Sequence, residues 1–167
     1  MTTSKEITSA IRGRFGRPNF ITMANVYMIG SPWESDLVNI SPARFFTEFE
    51  IKISKQDFNA DFRKKFYSIN KHEWLAGKQF DGPKFNVAEK IPKPKQFYFV
   101  LLDGICQEKD IPAHCGMIVF NPAKFRPNWP AGALEIVRQA PLIKPPKKLT
   151  EKAIYNIAVK AASRIGT

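Results

Sequence analysis

The sequence predicts an α/β (α+β) fold, a mixed central β-sheet flanked by helices, in one domain of 167 residues. Three observations carry this expectation. Apolar residues make up 44% of the chain and include 14 Phe, enough to fill a core. Stretches alternating with the two-residue period of a strand follow and precede stretches with helical spacing. The order reads helix, strands, helix, strands, irregular segment, helix, with no repeat or compositional break to mark a second domain. The domain spans 1–167, with a basic, Pro-rich segment at 141–149 and a terminal helix at 150–165.

Residues 3–15 predict the first helix. Thr3-Ser4-Lys5-Glu6 fits a capping box, Ile7, Ala10, Ile11 and Phe15 share a face, and Gly13, Gly16 and Pro18 end it. Residues 20–29 predict a strand, Ser31-Pro32-Trp33 a turn, 34–40 a short strand, Ser41-Pro42 a turn and 45–53 an alternating strand. Ser54 opens a helix running to about Trp74, with Asp57 in its first turn and Phe58, Phe62, Phe66 and Ile69 on its buried face. Residues 76–95 predict a Gly-, Pro- and Lys-rich loop. Strands follow at 96–102 and 115–120, then an irregular proline-rich stretch over 121–149 with a short strand at 134–137. Thr150 caps the last helix, which turns Ile154, Ile157, Ala158 and Ala161 inward.

Composition excludes several classes. No apolar run approaches the roughly 18 residues of a membrane span, and the N-terminus lacks a signal-peptide core, so a soluble, cytoplasmic protein is expected. Two cysteines are too few for a disulfide scaffold. Cys106 and Cys115, taken with His72 and His114, match no zinc spacing and are expected to be buried free thiols. The formal net charge of +11 points to a polyanionic partner, nucleic acid above all. A solvated basic surface is the plainer alternative.

The chemistry concentrates in Glu34-Ser35-Asp36 and Thr47-Glu48-Phe49-Glu50-Ile51-Lys52-Ile53-Ser54. In a strand Glu48, Glu50 and Lys52 share one face, and Phe49, Ile51 and Ile53 the other. Neighbouring carboxylates on one face repel, and a hard divalent cation removes that cost. Phosphodiester hydrolysis uses such a site: carboxylates hold the metal, and a lysine orients or deprotonates water and offsets negative charge. Asp36, on the preceding strand, can supply another ligand. The competing reading of the same residues is a solvent-facing charged edge strand.

The run Glu34-x-Asp36, Glu48-x-Glu50-Ile51-Lys52-x-Ser54, Asp57-Phe58, Asp61, Lys64 or Lys65, Lys71-His72 resembles the PD-(D/E)XK nuclease-like superfamily, specifically phage and bacterial proteins akin to the MmcB type of DNA repair. Pro112-Ala113-x-x-Gly116-Met117-Ile118 resembles a later segment of the same group. The resemblance spans roughly residues 5–140 and is strongest from 34 to 72. Ser35 stands where the motif has its leading Pro. The resemblance implies a restriction-endonuclease-like core and a metal-dependent deoxyribonuclease, with Asp36 and Glu50 as ligands of Mg²⁺ or Mn²⁺ and Lys52 as catalytic lysine.

Glu48 is the preferred extra ligand, ahead of Glu6 and Glu34. Lys55, Arg63, Lys64, Lys65, Lys71 and His72 are the expected DNA contacts, directed at phosphates without reading sequence. Arg12, Arg14 and Arg17, and Lys84 to Lys95, add basic clusters. Endonuclease, exonuclease and junction-resolvase activities in repair, recombination or phage DNA metabolism all fit. A homodimer is compatible, since resolvase-like members often pair. The alternative is a non-catalytic DNA-binding or host-interaction protein on the same fold.

Overall fold

The computed structural model describes residues 4–18, 20–27, 33–66, 69–79 and 90–163, apart from the side chains of Phe66 and Ala161. Thr3 of the expected capping box, the turn at 31–32 and most of the basic loop around Lys84 lie outside the described residues.

Helix α1 (Ser4–Phe15) precedes three strands, β1 (Ile21–Tyr27), β2 (Glu34–Ile40) and β3 (Phe46–Lys52), which form an antiparallel meander. The turn between β2 and β3 closes where Arg44 N–H donates to Ser41 O, with Arg44 at φ +67°. After the crossover, β6 (Gln96–Leu102) pairs parallel with β3, and β7 (Gly116–Phe120) parallel with β6. Strand β8 (Leu134–Arg138) closes the sheet antiparallel to β7, giving the order β1-β2-β3-β6-β7-β8. The expected mixed sheet flanked by helices is present.

The two faces follow from alternation. Phe49 and Ile51 of β3 join Tyr98 and Val100 of β6 beneath Ile7, Ala10 and Ile11 of α1. Phe49 and Tyr98 stack with centroids 5.6 Å apart. On the other face, Phe97, Phe99 and Leu101 of β6 pack against Phe58, Ile69, Trp74 and Leu75. The last helix, α4 (Glu151–Ala162), covers Met23, Val26, Val38 and Ile40 through Ala153 and Ile157. Its first turn is capped as expected, Thr150 Oγ1 accepting the Ala153 N–H.

One long element divides. The helix expected over 54–74 is two short helices, α2 (Lys55–Asp61) and α3 (Lys71–Leu75), separated by a small hairpin, β4 (Lys65–Phe66) with β5 (Ile69–Asn70). Asn70 explains the break. Its Oδ1 accepts the N–H groups of His72 and Glu73, starting α3, while its Nδ2 donates to the Phe62 carbonyl just beyond α2. A side chain that serves both ends competes with a continuous helical ladder. Asn25 adds an irregularity inside β1, with φ +54°. Met23 and Val26 consequently both face α4 although three residues apart.

Candidate active site

Strand β3 is interior, not an edge, and its charged face is covered by side chains of α2 and α3, Asp61 and Lys71 among them. Glu48, Glu50 and Lys52 lie beside Phe97, Phe99 and Leu101 in the parallel register, and all three are buried, with Glu50 only 1% exposed. The reading of a solvated edge strand therefore fails. Ions in such surroundings persist only when paired.

The pairing is dense. Lys71 Nζ donates to Glu50 Oε1 at 2.7 Å and Glu48 Oε1 at 3.1 Å. Lys52 Nζ lies 3.2 Å from Glu50 Oε2 and 3.2 Å from Asp61 Oδ1, with Asp57 Oδ1 at 3.7 Å. Lys64 Nζ reaches Glu50 Oε2 at 3.2 Å and Asp61 Oδ1 at 2.6 Å. The contacts to Asp61 Oδ1 are Coulombic, since no hydrogen bond of acceptable angle reaches that atom.

Asp61 Oδ2 takes the remaining partner, the Nε2–H of His72, at 2.7 Å. Burial pushes Glu50 toward its neutral form, but Lys71, then Lys64 and Lys52, override it and hold the carboxyl below its ordinary range. The same balance, with the His72 hydrogen bond leading, depresses Asp61. Burial opposes the charge on Lys52 and Lys71, yet the surrounding carboxylates raise both above the usual lysine range. Lys52 is thus held as an ammonium, suited to offsetting negative charge and not to removing a proton.

Asp36 is placed differently. The β2–β3 ladder ends at Leu37 opposite Phe49, and in the gap beyond it the Ile51 N–H donates to Asp36 Oδ2 at 2.7 Å. The carboxylate opens toward α1, into a cleft of about 500 Å³ lined among others by Lys5, Thr8, Ser9, Arg12, Asn25 and Asp57. Burial, then the charge of Glu50, raise its pKa from 3.8 to about 6, against the Ile51 hydrogen bond and the more distant Lys52 and Lys64. Asp36 is within electrostatic reach of Glu50 without sharing its ion pairs.

The expected convergence is therefore partial. Glu48, Glu50, Lys52, Lys64 and Lys71 come together, while Asp36 stands at the rim of the neighbouring cleft. Among the described residues, Asp36, Glu48 and Glu50 do not form a close ligand group. Glu6 and Glu34 lie at the starts of α1 and β2.

The expected DNA contacts divide as well. Lys55, Arg63 and Lys65 are exposed, with Lys55 3.3 Å from Asp110. Lys71 and His72 are buried, at 0% and 6% exposure, so neither is the surface phosphate contact the sequence suggested. Both are drawn inward because α3 is a separate short helix that turns its first residues onto the carboxylates of β3 and α2. Asp61 was missed as a site residue. Its spacing from Asp57 resembles a solvated helical stripe, but it follows Phe58 by three residues on the buried side of α2.

A second group adjoins this network. His72 Nδ1 lies 3.1 Å from His114 Nε2 and 4.0 Å from Cys115 Sγ. Burial, then His72 and Arg138, lower the His114 pKa to about 4, and burial pushes the Cys115 thiol up. Cys106 is a half-buried free thiol and Cys115 a buried one. No helix among the described residues is long and apolar enough to cross a membrane.

No family profile and no curated protein matches the chain. Among solved structures, the fold is similar to that of the SPO1766 protein of unknown function from Silicibacter pomeroyi, with a TM-score of 0.56 and 16% identity over 99% of this chain and 88% of that one.

Proposed function

We propose that the protein is a Mg²⁺- or Mn²⁺-dependent DNA nuclease of the PD-(D/E)XK type, acting on phosphodiester bonds in the cytoplasm. The observation that carries this reading is the cluster of carboxylates around β3. Asp36, Glu48, Glu50, Asp57 and Asp61 share the region with the ammonium groups of Lys52, Lys64 and Lys71, and Lys5 and Arg12 line the cleft beside Asp36 and Asp57. Burial, then the charge of Glu50, oppose ionisation of Asp36, whose own hydrogen-bond partner is a backbone N–H. A hard cation suits such a donor set.

Asp36 and Glu50 are the residues the resemblance assigns to the ion; they do not form a close ligand group here, so holding one requires the two carboxylates to approach each other, with Glu48 paired to Lys71. A divalent ion there supplies Lewis-acid activation of a phosphate and of water. The chain's own groups do the rest. Lys52, fixed by Glu50 and Asp61, presents a permanent positive charge where negative charge develops. Lys5 and Arg12 line the cleft beside Asp36 and are placed to position the phosphate backbone.

The test is incubation of supercoiled, linear, single-stranded and branched DNA with Mg²⁺, Mn²⁺ or EDTA, using the wild type and Asp36→Asn. Cleavage dependent on the ion and lost in the variant is expected. Intact DNA under every metal condition would end the proposal. A second reading, a DNA-binding protein without hydrolysis, is favoured by the saturation of Glu50 with three lysines. Tight DNA binding with no cleavage would select it.

A further inference from the structure

We propose that His72, His114 and Cys115 form a binding site for one zinc-class divalent transition-metal ion, separate from the carboxylates of β3. The donor set is imidazole, imidazole and thiolate, which favours Zn²⁺ and its neighbours over Mg²⁺. Their ligand atoms all lie within 4.8 Å of one another. Tetrahedral coordination with zinc bond lengths puts two nitrogens about 3.4 Å apart and nitrogen and sulfur about 3.6 Å apart. The observed 3.1 Å and 4.0 Å edges from His72 lie within a few tenths of an ångström of these, and the remaining His114–Cys115 edge, within 4.8 Å, closes by about an ångström when the ion binds.

The surroundings prepare it. A carboxylate only accepts, so the 2.7 Å contact with Asp61 places a proton on His72 Nε2. In the neutral ring that leaves the Nδ1 lone pair directed at His114 and Cys115. A carboxylate behind a metal-binding histidine is the arrangement that fixes the tautomer and raises ligand basicity. The ring is held in place by stacking on Phe99 at 5.5 Å and by the edge contact with Phe97 at 5.7 Å.

The opposite wall is fixed too. Arg138 donates to the carbonyls of Ile111, Pro112 and Cys115, so β8 holds the turn that carries His114 and Cys115. Binding replaces the His72–His114 hydrogen bond, moves the His114 proton to its other nitrogen, and releases the Cys115 thiol proton to solvent. Three protein ligands leave a fourth position for a small exogenous one. Asp61 contacts both His72 and Lys52, so the ion would sit one side chain from the β3 network.

Titration of the full chain with Co²⁺ tests this, because a thiolate–cobalt charge-transfer band reports the sulfur ligand directly. One equivalent should produce the band, and Zn²⁺ but not Mg²⁺ should displace it. Cys115→Ser should abolish it, and His114→Ala should weaken Co²⁺ affinity about tenfold or more. No band in the wild type at saturating Co²⁺, or an undiminished band in Cys115→Ser, would overturn the proposal. Asp36→Asn should keep the band, so loss of cleavage and loss of this site are told apart.

Discussion

The Ile51 N–H donates to the Asp36 carboxylate at 2.7 Å in the gap where β2 and β3 part. The bond anchors a desolvated acid at the wall of the cleft beside α1. Asn at this position keeps an oxygen for Ile51 and removes the charge. Asp36 has a folded pKa of about 6 against 3.8, so the folded state binds the proton more tightly than the unfolded one. Its ionised form therefore costs stability above about pH 6, and the cost fades as pH falls toward about 4. Asp36→Asn should be more stable than wild type near neutral pH, by on the order of 1–2 kcal/mol, with the gap closing in acid. Urea melts across that range measure it, and a gap independent of pH would contradict the assignment.

Lys71 should matter for folding before it matters for DNA. Lys71→Met leaves Glu48 and Glu50 buried with their best partner gone, a loss of about 3–5 kcal/mol. Lys55→Ala removes the exposed pair with Asp110 and the contact of its ammonium with the Phe58 ring, and should move the denaturation midpoint far less than Lys71→Met. Comparable denaturation midpoints for the two variants would refute the buried network.

Gly116 begins β7, and a Cβ there would lie 2.4 Å from the Tyr98 ring and 2.7 Å from the Ala140 nitrogen. Gly116→Ala should destabilise the fold by about 1–3 kcal/mol, visible as a lower melting temperature. It should also loosen the turn that carries His114 and Cys115.

Arg63 and Lys65 are exposed, unlike Lys71 and His72. Under the nuclease proposal, the double change to Ala should weaken binding to unrelated duplexes alike. The slope of log affinity against log salt should fall by about 0.9 for each phosphate that is no longer neutralised. A salt titration in Ca²⁺ reads it, and an unchanged slope would remove this surface from DNA binding.

The sequence revealed the strands more clearly than the site. Alternation along β3 correctly separated Phe49 and Ile51 from Glu48, Glu50 and Lys52. It did not show that the charged set would be buried, because that depends on α2 and α3 bringing Asp61 and Lys71 onto that face. Apolar spacing through Phe58, Phe62, Phe66 and Ile69 suggested one helix. The capping preference of Asn70 was the available local signal for two. His72 and the His114–Cys115 pair are far apart in the chain and meet only through the packing of α3 against the start of β7. No short spacing motif records such a meeting.

The left-handed Asn25 bears on how copies of the protein meet. Strand β1 is an outer strand, and a flat outer strand is a template on which another chain can add its own. At Asn25 the row of N–H and C=O groups falls out of line, halfway along the template, with exposed Ile21 and Tyr27 on either side of the break. Runaway strand-to-strand association along this rim is interrupted by a single backbone conformation, and self-association through a continuous shared sheet across β1 is disfavoured.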